Sequence, residues 1–396
     1  MGALNNTLAG ASNFVLQEAI SAYSDEAYTT AKKLSGTAIV GDNPQIDTST
    51  ETFVGQVRWY KPLNPTVNVA SLTDSTAGTK TTYGTDMLKY IKTVRTHGAG
   101  KVNMQQVVTQ VDGLAKVGRD FGETRAQDEH DAILSVLRGV ALSEVLNGAA
   151  AGSGATGLGG QSFTNDPADK KYGFYVDLGA SKAVVDASTT AQGAARAEGF
   201  LRAFGMAYKD YEPEFAYLVT SPEMMSSLRS ANLVDQDRVT DGQVHFNTIF
   251  QGKFRLIQTR ATQGFSSAEL TKINTGAGVD VVGTKVSFIV LPGSLAMKQL
   301  SVPEPTEIDR DAAAYKGGGT TDIWHRWGYV LAPAGYDWVG PEDAFPTNAD
   351  YVSVLEGSTK LALTSVVSGT LASTQGVWKR KTSSALSLGI LPVFHS

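Results

Sequence analysis

The chain has 396 residues, 42% of them hydrophobic and only 18% charged, with 41 glycines, 13 prolines and no cysteine. The lack of cysteine excludes disulfides, a thiolate nucleophile, iron-sulfur clusters and Cys-ligated zinc, and the formal net charge of -5 argues against a general nucleic-acid binder, which needs a basic face to neutralise phosphates. The length predicts two or three subdomains, and a charged fraction well under the ~25% of ordinary soluble domains predicts that part of the exterior faces other protein.

The opening MGALNNTLAG has neither the basic nor the long apolar region of a secretory signal, and Asn6 stands where a myristoylation signal has Ser or Thr. No apolar run approaches the ~18 residues needed to span a bilayer, so the expectation is a chain made and kept in a cytoplasm-like compartment. Weak helical periodicity in NFVLQEAISAYSDEAY gives way to GTAIVGDNPQIDTSTETF, whose Thr, Asp, Gly and Pro read as an extended arm. Phe53, Val57 and Trp59 then share one side of a period-2 pattern, TDSTAGTKTTYGTD is a polar tip, and MLKYIKTVRTHG returns as a second strand. Such a hairpin is marginal alone and is expected to lie on something else.

The spacing next predicts a helix from Val117 to Asn147, with Ile133, Leu134, Leu137, Val140, Ala141, Val145 and Leu146 on one broad stripe and Gly148 as its stop. The acids of DEHD, Asp128 to Asp131, read as a solvated helix start favoured by the dipole. A connector, GAAAGSGATGLGG, leads to a short strand, GFYVDLG. Between Ala191 and Gln299 the pattern becomes α/β: a helix in QGAARAEGFLRAFGMAY, a buried strand in EFAYLVTS, and a helix opened by Ser221-Pro222-Glu223. VTDGQVHFNTIFQG reads as a loop, and KFRLIQT and KVSFIVLP as strands. The remainder, through the aromatic DIWHRWGYVLAPAGYDWVG to SALSLGILPVF, supplies strands again.

Candidate chemistry is sparse. GSGATG, Gly152 to Gly157, matches a dinucleotide fingerprint with Asp177 at about the expected ~20-residue distance, but a phosphate cradle needs a strand before it and a helix after it, and the order here is reversed. A hinge accounts for it. The successive helical residues of DEHD point in different directions and do not converge on one metal. His97, His245, His325 and His395 are scattered, each reading as paired or exposed. No nucleophile elbow or Walker sequence occurs. Trp324, Trp327 and Trp338 read first as core packing where a sheet meets the long helix, and second as intersubunit contacts; VWKRKTSS, with Trp378, Lys379, Arg380 and Lys381, reads as a solvated basic edge.

Arm, hairpin, long helix, α/β subdomain and closing strands, in that order, resemble the major capsid proteins of tailed bacteriophages with the HK97-like fold. The resemblance is carried by EFAYLVTSPEMMSSLRSANLVDQDRVTDGQVHFNTIFQGKFRLIQT, by IWHRWGYVLAPAGYDWVG, where His325 and Gly328 fit an H-x-x-G-F-x-W phrase with Tyr329 for Phe and Leu331 for Trp, and by VWKRKTSSALSLGILPVF. It implies an α+β chain divided into an N-terminal arm (1-50), an E-loop hairpin (51-100), a peripheral domain with a spine helix (101-190), an axial domain (191-300), and the closing strands of the peripheral domain with the C-terminal segment (301-396). It further implies a non-enzymatic shell subunit, without cofactor or metal, that forms hexamers and pentamers around double-stranded DNA held by weak non-specific contacts. Scaffolding, portal and decoration proteins are the other implied partners, no membrane is involved, and the place is the virion capsid, assembled in the host cytoplasm. The arm and hairpin would each reach a neighbouring subunit. Assembly or packing candidates are Arg58, Trp59, Lys80 and Tyr83 in the hairpin, Arg125 and Glu129 in the helix, and Trp324, Trp327, Trp338 and Trp378. Some members crosslink through an E-loop lysine, where Lys80 would lie, but no motif marks the partner Asn and no crosslink is expected. An encapsulin-like compartment and an α/β enzyme binding a nucleotide at the Gly-rich loop are the alternatives.

Overall fold

A computed structural model describes residues 18-32, 34-60, 85-102, 113-150, 174-177, 199-201, 203-205, 207-208, 213-230, 232-241, 244-259, 265-266, 269, 285-311, 313, 319-356, 359-361, 374-381 and 388-395. The strands are β1 (Val40–Gly41), β2 (Val54–Tyr60), β3 (Thr85–Val102), β4 (Val176–Asp177), β5 (Ala216–Thr220), β6 (Val234–Asp241), β7 (Val244–Ile249), β8 (Phe254–Gln258), β9 (Lys285–Val290), β10 (Leu295–Gln299), β11 (Thr306–Asp311), β12 (Thr320–Pro333), β13 (Tyr336–Trp338), β14 (Val354–Glu356), β15 (Thr359–Leu361), β16 (Thr374–Gly376), β17 (Trp378–Arg380) and β18 (Ile390–His395). A long helix, Gly113–Ala150, and a short one, Pro222–Ser230, accompany them, and residues 18-31 are also helical. The chain is thus α+β.

Two large sheets organise the molecule. One is six-stranded, in the order β1-β10-β12-β3-β2 with β11 also on β12; the other is seven-stranded, β4-β18-β9-β5-β8-β7-β6. In the second, β5 is buried along its whole length, as expected of a central apolar strand flanked on both sides. Ser221 caps the helix after β5, its Oγ accepting from the Met224 N–H at 3.3 Å, with Pro222 in the first turn. Residues 239-252, read from sequence as a loop, instead contribute β7 and the end of β6, an antiparallel hairpin whose register passes through Asp241↔Val244. Gly-Gln at 242-243, between the paired Asp241 and Val244, is a two-residue Gly-X hairpin signal.

The long helix joins the sheets. From Ala132 to Leu146 only Ser135 and Arg138 are less than buried, so this half is covered nearly all round, which its apolar content permits. It packs against β12, β16, β17 and β18. The helix also runs further than the periodicity suggested, from Gly113 through Gly148 to Ala150. Gly148 does not stop it, since a glycine inside a helix costs only about 1 kcal/mol.

Two strand placements rest on distant partners. In the aromatic stretch, β12 pairs with β3, β10 and β11, while β13 follows the turn at Gly335 (φ 79) and pairs with β17. The last strand, β18, expected among the closing strands of the 301-396 segment, lies between β9 and β4 of the seven-stranded sheet. Conversely β10, within 191-300, belongs to the six-stranded sheet. Both are long-range pairings on which local pattern is silent.

The described part of the arm, residues 18-50, packs on its own chain. Its helix crosses the long helix at Gly118 and Gly122, where a Cβ on Gly118 would come within 2.8 Å of Tyr23 Cβ and one on Gly122 would overlap the Ser24 carbonyl. Two glycines four apart leave a smooth strip on one helix face, which lets two backbones approach closely. Ile20, Phe121 and Ile323 form a small apolar cluster beneath the crossing, and Leu34 and Ile39 enter the main core. Residues 1-17 are not among those described.

Candidate functional site

The arm helix is held by a buried polar network. Tyr28 donates to Glu129 Oε2 at 2.7 Å, Gln299 Nε2 donates to Glu129 Oε1 at 2.8 Å, and Arg125 Nε stands 3.4 Å from the same oxygen. The Arg125 guanidinium lies 4.0 Å over the Tyr28 ring and 3.6 Å from Asp25. Arg125 and Glu129, singled out from sequence, therefore act together, one turn apart on the helix. Burial raises the Glu129 carboxyl, opposed by the bonds from Tyr28, Arg125 and Gln299, and burial together with Glu129 pushes the Tyr28 hydroxyl up.

The DEHD segment is consequently not a solvated helix start. It lies mid-helix, Glu129 is fully buried, and Asp128 turns to the sheet, accepting from Trp327 Nε1 at 3.1 Å and Tyr329 OH at 2.9 Å with Arg95 at 3.5 Å. His130 reaches Thr259 at 3.3 Å. His325, on β12, is held between Ser24 Oγ at 3.4 Å and Thr306 Oγ1 at 3.2 Å and stacks on Phe121. Burial, with Arg125 nearby, lowers its pKa to about 4. The arm helix thus rests on the buried His325 imidazole and the buried Glu129 carboxyl group.

At the other end of the long helix the contacts are aromatic. Trp338 and Trp378 meet edge to face at 5.0 Å, and Tyr351 stacks on Trp378 at 6.2 Å. Gly139 admits them, since a Cβ there would lie 2.9 Å from the Trp378 ring. Arg380, in the segment read as a solvated basic edge, forms a buried pair with Glu144 at 2.9 Å, while Lys379 is exposed. Trp327 and Trp338 are buried, and so is Trp378, which lies in the segment read from sequence as a solvated edge. Trp324 is not: it is 45% exposed on the outer face of β12.

The hairpin base is the third element. β2 pairs with β3 from Val54↔Ile91 to Tyr60↔Thr85, and Tyr90 fills the space left by Gly55. Lys92 is fully buried and its Nζ bonds Asp47 at 2.7 Å and the Ser49 carbonyl at 2.7 Å, tying residues 47-49 to β3. The bond from Lys92 holds the Asp47 carboxyl well below the usual range. Arg58 is exposed on β2, and Phe53 and Met87 leave 36% and 43% of their surface open. Trp59 is on β2 opposite Asp86. Lys80, Tyr83 and the GSGATG segment lie outside the described residues, whereas Asp177 is on β4.

Residues that sequence reasoning missed are Tyr28, Asp47, Lys92, Asp128 and Gln299. A signal existed for one contact only: the Gly118-Gly122 spacing marks a helix crossing. Among the described residues no cluster of three or more acidic or histidine side chains is arranged to hold a metal, and no helix is long and apolar enough to cross a membrane.

No protein-family model and no curated protein sequence matches the chain. Among solved structures it is similar to the capsid of Ralstonia phage GP4, at 12% identity and TM-score 0.43, over 78% of this chain and 86% of that one. It is also similar to the head structure of Helicobacter pylori bacteriophage KHP40, at 9% identity and TM-score 0.45, over 92% of this chain and 91% of that one. The cyanophage Pam1 capsid asymmetric unit is similar at 10% identity and TM-score 0.42, over 93% and 92%.

Proposed function

We propose that this chain is a structural shell subunit, a major capsid protein of the HK97-like kind, that assembles with copies of itself into hexamers and pentamers of an icosahedral container for double-stranded DNA. The observation that carries the reading is the placement of the β2-β3 hairpin. It continues the sheet past the last β12–β3 pair at Ile91, leaves Phe53 and Met87 exposed, and sits in a chain whose long helix packs against strands of both sheets. A body so firmly built, bearing an edge hairpin with open apolar side chains, suits association with protein.

In this reading 1-50 is the arm that contacts another subunit, 51-100 is the loop laid over a neighbour, 101-190 and 301-396 form most of the peripheral part, and 191-300 forms the axial part. Arg58, Trp59, Lys80 and Tyr83 lie on the hairpin side of the contact, with Trp324 as an exposed aromatic on the body. Scaffolding, portal and decoration proteins are its further partners, the assembled shell is its place in the virion, and assembly occurs in the host cytoplasm. The net charge of -5 suits a container that must release its genome. The reaction of the subunit is association, and no catalytic role is assigned to it.

Expression of the full chain, sedimentation and negative-stain imaging test this. Capsomers or closed particles are the expected result. A strictly monomeric profile across assembly conditions would overturn the reading.

A further inference from the structure

The outer face of the six-stranded sheet carries an exposed aromatic ring among acids. Trp324 projects from β12, between β11 and β3, and keeps 45% of its surface open. Its cross-strand neighbours on that face are Glu307 of β11 and Gly98 of β3. A Cβ on Gly98 would come within 2.7 Å of the ring, so the indole reaches over β3 where a side chain would otherwise stand. Asp322 does the same one step along the face: its Oδ1 would lie 2.8 Å from a Cβ on Gly100. Alternate glycines of β3 thus seat a ring and a carboxylate side by side, roughly 7 Å apart along the strand.

The charges around the ring are unbalanced. Asp309 of β11 stands directly across from Asp322, so two exposed carboxylates oppose each other on neighbouring strands, an arrangement that weakens a sheet. Neither has a basic partner among the described residues. Asp311, further along the same side of β11, is exposed as well. Arg326, the cation beside them on β12, is already held: its Nη2 donates to Glu307 Oε2 at 2.5 Å and its Nη1 to the Glu304 carbonyl at 3.2 Å. Acids on β11 alone would read as a guard against strand pairing. Asp322 and Trp324 lie on β12, which is paired on both sides, and a guard needs no open indole.

We propose that this face docks an arginine side chain presented by a basic segment of a different protein, an inference that stands apart from the shell reading. A guanidinium laid on the exposed side of Trp324 gains cation–π attraction. Its planar fork reaches the Asp322 carboxylate beside the ring and offsets the repulsion from Asp309. A lysine ammonium fits less well, because it neither stacks flat nor bonds a carboxylate in two places at once. A second copy of the chain is also the poorer occupant. The chain carries a net charge of -5, so its copies repel one another at an acidic face while a basic segment is drawn to it.

The test titrates the full-length chain, labelled with 5-fluorotryptophan, with the dye-tagged peptide Gly-Leu-Arg-Leu-Arg-Gly and with its lysine and citrulline counterparts. Anisotropy reads the affinity. Fluorine NMR reads the place, the Trp324 resonance being the one that Trp324→Phe removes. The arginine peptide is expected to bind most tightly and to move that resonance, the lysine peptide to bind more weakly, and the neutral citrulline peptide to leave it unmoved. Trp324→Ala and Asp322→Asn, with parental circular dichroism, should each weaken the arginine peptide about threefold. Asp343→Asn removes the same charge from an exposed residue outside β3, β11 and β12 and should change nothing. Equal binding of the citrulline or lysine peptide, a still Trp324 resonance, or an equal loss in Asp343→Asn would overturn the proposal. A Trp324 resonance that moves with protein concentration alone would do so too, by placing a second copy on the face.

Discussion

The two halves of the long helix are attached in different ways. From Ala132 onward it is surrounded by apolar side chains and closed by Trp338, Trp378 and Tyr351. Its earlier half, around Gly118 to Glu129, holds the arm helix through two glycines, the Tyr28–Glu129 hydrogen bond and the Arg125–Asp25 ion pair, with Ser24 bonded to His325 of β12 beside it. Apolar burial is non-directional and sums over a large area, so the first half of the comparison resists piecemeal loss. A polar docking site depends on each partner being present and correctly charged. The molecule therefore has a permanent centre and an arm whose seat is conditional.

The sharpest way to break the comparison is Trp378→Ala, which removes a fully buried ring. It is expected to cost about 4 kcal/mol and to lower the denaturation midpoint of the whole fold; loss confined to the arm would show that the aromatic end is not the centre. Next in size is pH. The His325 pKa is lowered to about 4 from an ordinary ~6.5, so the unfolded chain takes up its proton first. Its contribution is complete above pH ~6.5, declines as pH falls toward 4, and is level below, about 3 kcal/mol in all. Thermal melts at several pH values should show that decline in the parent and a flatter profile in His325→Gln, and equal profiles would reject it.

Gly122→Leu forces a side chain into the Ser24 carbonyl. The expected cost is about 2 kcal/mol, visible as protease cleavage between the arm helix and Leu34 while the core transition stays put; a fall of the entire transition would erase the distinction between the halves. The smallest change is Tyr28→Phe, which deletes one donor to Glu129 and leaves Gln299 and Arg125 in place. About 1 kcal/mol is expected, read as faster amide exchange in residues 18-31 alone. Together the four variants order the helix from its fixed end to its releasable one.

Much of the framework was legible. The long helix announced itself through the spacing of Ile133, Leu137, Val140 and Val145, and the buried strand β5 through an unbroken apolar run with a Ser-Pro-Glu helix start behind it. These are local signals, written within a turn or two of chain. The hairpin was legible at both strands, yet its seat was not, because Lys92 looks like any surface lysine until Asp47 and Ser49 are brought to it. DEHD misled for the same reason: four polar residues in a row imply solvent unless Tyr28 and Gln299 from distant segments supply partners. Trp324 misled in the other direction, being large and apolar but placed opposite a glycine on an exposed sheet face.

Length, composition and periodicity by themselves determined a long helix with a broad apolar stripe, an early hairpin, little recognisable reactive chemistry and a low charged fraction. Tertiary structure alone decided that the last strand joins the earlier sheet and that the arm helix seats on Gly118 and Gly122. The division has a physical cause. Helix and strand periods arise from neighbours a few residues apart, whereas contacts such as Ser24 with His325, 301 positions away in sequence, exist only after the chain has closed on itself, and no local pattern encodes which distant partner will arrive.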